Sequence, residues 1–319
     1  MNGKRSLFLR IGLSVVMLAV LIWRVPDFDT SKVIPDFTLH NVLWLLAAMA
    51  LTLLAFVLSA LRWQKVLDAL GVHAGLRSLL SHYLAGQFVS NVLPTTIGGD
   101  VLRVSRLSKE TGEPTNTFSS VVLERLTGWL VLPVISVAGF LLNPPLRHLG
   151  TATRVAIGLA FATLVLLVVV LWAAGHERLG GRYAARDGWQ RFMGAIHLGV
   201  DRLRHDRAAA FQVLAVGFVY QLALVLAAVA AAQALGLGKY AGLTFLLAFF
   251  PAVAIAQVLP ISMSGLGVRE GAFVLFLHPL GVHTEEAIAL GLLLYLLNLG
   301  VSLLGAPAFA VGGRTRIPA

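Results

Sequence analysis

Residues 92–103 read VLPTTIGGDVLR, and residues 258–269, 166 positions further on, read VLPISMSGLGVR. Each stretch sets Val-Leu-Pro ahead of small and hydroxylated residues, then a glycine (Gly99, Gly265) and an arginine (Arg103, Arg269) at the same register. Proline lacks a backbone N–H and collides with the preceding turn, and glycine is the next poorest helix former, so both stretches interrupt a helix. The same shift carries 41–61 onto 207–227 and 117–142 onto 283–308, all strongly apolar. One offset aligning three elements predicts an internal repeat within a single domain, 1–319, with half one at about 1–150 and half two at about 151–319.

The composition says what solvent this repeat lives in. The chain is 58% hydrophobic and 13% charged, with a mean hydropathy of +0.84, far from the mix of a soluble domain. Uncharged runs such as 41–61 and 155–174 are long enough, at about 1.5 Å per residue, to cross roughly 30 Å of hydrocarbon. Full spans are expected at about 6–23, 41–61, 117–142, 154–174, 208–235 and 285–311. The start is basic (Lys4, Arg5, Arg10), but no small-x-small cleavage site follows Trp23, so 6–23 is read as an uncleaved first span. With no cysteine in the chain, disulfides, thiolate nucleophiles and cysteine-held metals are excluded.

Orientation follows from the positive-inside rule. Placing Lys4, Arg5 and Arg10 inside puts the acidic loop with Asp27, Asp29 and Asp36 outside and returns Arg62, Lys65 and Arg77 to the cytoplasm. Arg103, Arg106 and Lys109 are again basic, so the apolar stretch at 78–97 must enter and leave on the same side. By the same logic 241–260 re-enters from the outer face, and Arg314 and Arg316 keep the C-terminus inside. The result is an all-α polytopic membrane protein, an inverted repeat with about six full spans and two re-entrant broken-helix hairpins. Both termini are expected in the cytoplasm. The basic loop 175–207 carries Trp189, Phe192, Met193, Ile196, Val200 and Leu203 at helical spacing and reads as an amphipathic cytoplasmic helix. The net charge of +10 sits in loops between apolar spans, which points to topology and anionic lipid headgroups and away from nucleic acid.

Two broken hairpins in an inverted repeat are a secondary-transporter architecture, with the binding site near the bilayer midplane. Pro94, Gly98 and Gly99 in the first tip, and Pro260, Gly265 and Gly267 in the second, supply the helix breaks. Thr95, Thr96, Ser262 and Ser264 add hydroxyl donors there. Arg103, Arg125 and Arg269 are the expected contacts to a lipid phosphate, with Asp100, Glu124 and Glu270 as counter-ions and Arg106 nearer the cytoplasmic mouth. Glu124-Arg125 lies within an apolar span, where ionised groups are costly unless paired or wet. The second tip misses the spacing of a dinucleotide fingerprint, and no cofactor or metal is expected, His278 and His283 included. Small residues at 227–232 permit close packing within the chain or in a homo-oligomer.

The motifs Leu93-Pro94…Gly98-Gly99-Asp100…Arg103, Glu124-Arg125 and Pro260…Ser264-Gly265-Leu-Gly267-Val-Arg269-Glu270-Gly271 resemble the lysylphosphatidylglycerol synthase transmembrane, or flippase-like, superfamily. The resemblance implies a multi-pass protein of the bacterial or archaeal inner membrane that moves lipids between leaflets. In its bifunctional members a soluble aminoacyl-transferase domain follows. With Ala319 as the last residue here, aminoacyl-lipid synthesis is not expected of this chain. The expectation is therefore a flippase or transporter of an anionic phospholipid or polyprenyl-phosphate-linked lipid, not an enzyme. The alternative is a membrane glycosyltransferase or transferase with a lipid-phosphate donor and Asp100 or Glu124 as base. A third reading is a lipid-binding subunit that docks a lipid-synthesis partner.

Overall fold

Long apolar runs punctuated by glycine and proline dictate helices, and among the described residues the chain is all helix and turn, with no strand. The computed structural model describes residues 38–92, 98–175, 189–258 and 265–311. In chain order the helices are α1 (Leu39–Ala69), α2 (Leu76–Val92), α3 (Gly98–Thr111), α4 (Pro114–Leu142), α5 (Thr151–Gly175), α6 (Trp189–His205), α7 (Arg207–Ala234), α8 (Leu243–Val258), α9 (Val268–Leu277), α10 (Thr284–Ser302) and α11 (Gly305–Val311). Five of them, α1, α4, α5, α7 and α10, are long and apolar enough to cross a bilayer. They fall on five of the six expected spans; the sixth, 6–23, lies outside the described residues. The exposed side chains of α5, including Phe161, Val165, Val168 and Val169, are apolar. A surface of that kind is stable facing lipid and unstable facing water.

The repeat is visible in the element order. Helices α1 to α4 begin at 39, 76, 98 and 114, and α7 to α10 begin at 207, 243, 268 and 284. The first helix of each half also ends in the same way. Gly71 (φ 78°) and Gly236 (φ 72°) take left-handed backbone, and the next amides, of Val72 and Leu237, reach back to Leu67 O (2.9 Å) and Ala232 O (2.8 Å). Both are Schellman caps, which satisfy carbonyls that the helix end leaves unpaired. The two equivalent helices run antiparallel: Val66 of α1 clusters with Val213 of α7, and Arg62 lies over the Tyr220 ring at 4.7 Å. That is the arrangement two oppositely oriented halves require.

The two short helices α2 (17 residues) and α8 (16 residues) are about 25 Å long at 1.5 Å per residue, less than the hydrocarbon thickness. Each folds back on its successor. In the first hairpin, α2 and α3 touch backbone to backbone at Gly86 and Gly99, where any Cβ would meet the opposing chain. At its base Ser78 Oγ donates to Glu110 Oε2 (2.7 Å), with His82 Nε2 at 2.8 Å from the same oxygen.

The halves exchange their packing. α4 of half one crosses α8 of half two at Gly139, whose Cβ would collide with the backbone of Leu247 and Ala248. Ser136 Oγ donates to Ala248 O (2.7 Å) at the same crossing. The repeat-related Gly305 presses on Leu84 O and Ala85 N of α2. Here the structure corrects the expected single span 285–311. The helix stops at Ser302, turns at Leu303 and Leu304, and restarts as α11. Pro307 explains the break: it has no N–H for the Leu303 carbonyl and its ring clashes with a continuous helix, yet it is tolerated in the first turn of a new one.

The expected amphipathic helix is α6, and Ile196 and Val200 of its apolar stripe pack on the bundle. Ile196 is fully buried against Val122 and Ala174, and Gly199 sits against the Leu123 side chain. The small residues at 227–232 pack within the chain, where Ala227, Ala228, Ala230, Ala231 and Ala232 are all buried.

Gly139→Ala should therefore destabilise the fold by about 1–3 kcal/mol, because the opposing atoms are backbone and cannot yield. Gly158→Ala in α5, which has open space around it, should be neutral or stabilising by up to about 1 kcal/mol through helix propensity. Thermal unfolding of the two variants in detergent checks the contrast.

Candidate functional site

Hydrophobic helices pack by excluding charge, so a buried ion cluster between them marks a purpose or a debt. Five charged side chains meet where α1, α3 and α4 come together. Glu124 of α4 is 3% exposed. Its Oε1 accepts from Ser59 Oγ (2.8 Å) and Arg62 Nη2 (2.9 Å) of α1, and its Oε2 from Arg103 Nη1 (3.0 Å) of α3. Arg103 Nη2 donates to Asp100 Oδ1 (2.8 Å), and Asp100 Oδ2 accepts from Arg125 Nε (2.6 Å). The chain of contacts runs from buried Arg62 through Glu124, Arg103 and Asp100 to half-exposed Arg125. Three guanidinium groups share two carboxylates, leaving one net positive charge.

Local sequence explains the placement. Ser59 and Arg62 share a face of α1 at three-residue spacing, as do Asp100 and Arg103 on α3. Trp63 and Tyr83 place their rings 4.9 and 5.0 Å from the Arg103 guanidinium carbon, which adds cation–π attraction on both counts. Trp63 is itself fixed by donating Nε1 to Ser120 Oγ (2.8 Å). Gly128 and Gly217 give Arg62 its room, since a Cβ on Gly128 would lie 2.8 Å from Arg62 Nη1.

Arg269, which the 166 shift sets on Arg103, and its neighbour Glu270, which falls on Val104, form a smaller and closed unit at the start of α9. Gly265 and Gly267 both have positive φ. Glu270 Oε2 accepts the Gly267 amide (2.5 Å), capping the helix, while Oε1 accepts Arg269 Nε (3.1 Å) and Nη2 (3.0 Å). The Tyr295 ring of α10 lies 5.4 Å from the Arg269 guanidinium carbon, and Tyr295 Oη donates to Asn91 O (3.4 Å) at the end of α2. Asn91 Nδ2 also donates to Asn298 Oδ1 (2.8 Å). The two hairpins are thus linked through α10.

Of the residues expected to bind a headgroup, Arg103 and Arg125 come together with Asp100 and Glu124, and Arg269 stands apart with Glu270. Arg106 does not join them: its Nη1 and Nη2 donate to Ala308 O and Phe309 O (both 2.9 Å), pinning α11. Gly98 opens α3, and Gly99 is buried in the hairpin contact. Pro94, Thr95, Thr96, Pro260, Ser262 and Ser264 lie outside the described residues. Arg62, assigned from sequence to a cytoplasmic loop, is instead buried in the bundle. Its register with Ser59 is the signal, but the uncharged run ends at Leu61 whereas α1 continues to Ala69. Among the described residues no group of three or more His, Asp or Glu is placed to hold a metal ion.

An ion cluster of this make-up, beside a broken hairpin and inside a bundle of apolar spans, coincides with a family-level match. The sequence model described as "Lysylphosphatidylglycerol synthase TM region" matches residues 7–305. The chain belongs to this family. Membership points to a membrane protein of lipid metabolism or transport. No curated protein and no solved structure matches the chain.

Within this family member the cluster has a stiff interior and an open end. Glu124→Ala strands two buried guanidinium groups and should cost about 3–5 kcal/mol of stability. Arg125→Ala, at the exposed end, should cost under about 1 kcal/mol. Shifts in thermal unfolding of the purified variants test the difference.

Proposed function

We propose that the protein binds the phosphate of an anionic lipid at the Arg125 end of this cluster and carries the headgroup across the membrane. The observation that carries the reading is the connected ion cluster on α1, α3 and α4, directly after the first helix break and net positive by one charge. A soluble headgroup site needs no such burial, whereas a path for a polar group through hydrocarbon needs fixed charges inside the bundle. Acyl chains stay in lipid against the apolar outer faces while the headgroup engages the cluster. Arg103 and Arg62 lie behind Arg125 and hold the carboxylates that orient it. The antiparallel α1 and α7 and the two short hairpins support alternating access by rocking of one half against the other. The family's lipid chemistry supports the substrate class, and the basic loops support a cell inner membrane with cytoplasmic termini.

Purified protein in vesicles with a fluorescent anionic phospholipid in one leaflet tests the proposal. The expected result is headgroup redistribution with unchanged lipid mass, at least about tenfold slower in Arg125→Ala, a change of more than 1.4 kcal/mol in barrier. An unchanged rate in a folded Arg125→Ala variant overturns the role of the cluster. A new lipid mass without redistribution overturns transport in favour of a transferase.

A further inference from the structure

The two repeats treat one position differently, and the difference bears on which anion the site suits. On the 166 shift Arg125 corresponds to Gly291. In half two that glycine lets Glu270 pack flat: a Cβ there would lie 2.9 Å from Glu270 Cγ and 3.1 Å from Oε1. Glu270 is fully buried and takes both Nε and Nη2 of Arg269, so this unit is neutral and sealed. In half one the same position carries a guanidinium whose side chain is 44% exposed, against 6% for Arg62 and 5% for Arg103. Asp100 takes Arg125 Nε and Nη2, and among the described residues no protein acceptor meets Nη1. Arg62 Nε and Nη1 are buried without a partner as well. The surplus of one positive charge is therefore matched by spare donors, and its open end is Arg125.

We infer, resting on the lipid-headgroup reading above, that the site selects a phosphate carrying a single negative charge, a phosphodiester, over a phosphomonoester. Arg125 is the contact residue, and Arg62 and Arg103 are positioning residues. One negative charge brings the cluster to neutrality. A phosphomonoester brings about −1.5 to −2 at pH 7, which overshoots neutrality in surroundings where uncompensated charge is strongly disfavoured. The excess also falls beside Asp100, which already occupies one side of Arg125, so the second charge meets a carboxylate at short range.

The experiment is a titration of the full-length protein in neutral detergent with dioleoyl phosphatidylglycerol or dioleoyl phosphatidic acid, read by native mass spectrometry. A pH of about 8 keeps the phosphomonoester above its second ionisation, near 6. The phosphodiester should bind roughly tenfold more tightly. Arg125→Gln should erase the preference. Asp100→Asn, which raises the cluster by one positive charge, should shift it toward phosphatidic acid. Equal or tighter binding of phosphatidic acid by the unaltered protein overturns the inference, as does a preference that neither variant moves. If both lipids bind equally while vesicle transport persists, charge selection alone falls. If neither lipid binds, the headgroup reading falls with it.

Discussion

The half-one site depends on one carboxylate held between two guanidinium groups. Glu124 stands between Arg62 and Arg103, with Ser59 as a further donor. In a low-dielectric bundle an isolated charge of either sign is intolerable, so each of these groups is stable only because the others are present. The consequence is geometric. α1, α3 and α4 cannot slide past one another without breaking a contact at this point, and Arg103 is further wedged between Trp63 and Tyr83. The Trp63 ring belongs at the same time to the apolar cluster with Leu67, Leu79, Leu107 and Val121, so the polar and apolar parts of the bundle share a wall. The half-two pair needs no such scaffold, because Glu270 closes on its neighbour and on the helix end it caps.

Much of this was legible in the sequence, for reasons of physical scale. Helix interruption is a local property of proline and glycine, so the 166 offset could be read from the two breaks, and α2 and α8 end just ahead of them, at Val92 and Val258. The pairing of Asp100 with Arg103, three residues apart on α3, is equally local. Arg62 was missed because a charge after an apolar run reads as the end of a span. Only the fold reveals that α1 continues two more turns with Glu124 alongside. Arg106 shows the reverse error. It shares a face with Asp100 and Arg103 by spacing, but the carbonyls of Ala308 and Phe309, some two hundred residues away, claim it. Long-range partners leave no local trace. The break at Leu303 and Leu304 was hidden for a different reason: residues 287–311 carry no charge, and hydropathy does not register a single proline against that background.

The halves are similar in path and unequal in chemistry. Both have a capped first helix, a short broken pair and a long fourth segment. Yet the fourth segment is one helix in half one and two in half two, and the charged cluster is extended in one and closed in the other. The repeat sets two interruptions at the same register, 166 residues apart. Positions such as Arg125 and Gly291 then make the two halves differ in charge and packing.

Gly305 and Gly139 carry a consequence for biosynthesis. Each hairpin is covered by a helix of the opposite half, and the cover for α2 comes from residues 305–311. A growing chain therefore inserts its first hairpin long before the piece that seals it has been translated. Until residues 305–311 emerge, the face around Leu84 and Phe88 lacks the cover of Gly305 and Phe309 and has only lipid or an insertion chaperone in its place. The first half becomes a finished structure only when residues 305–311 have been made.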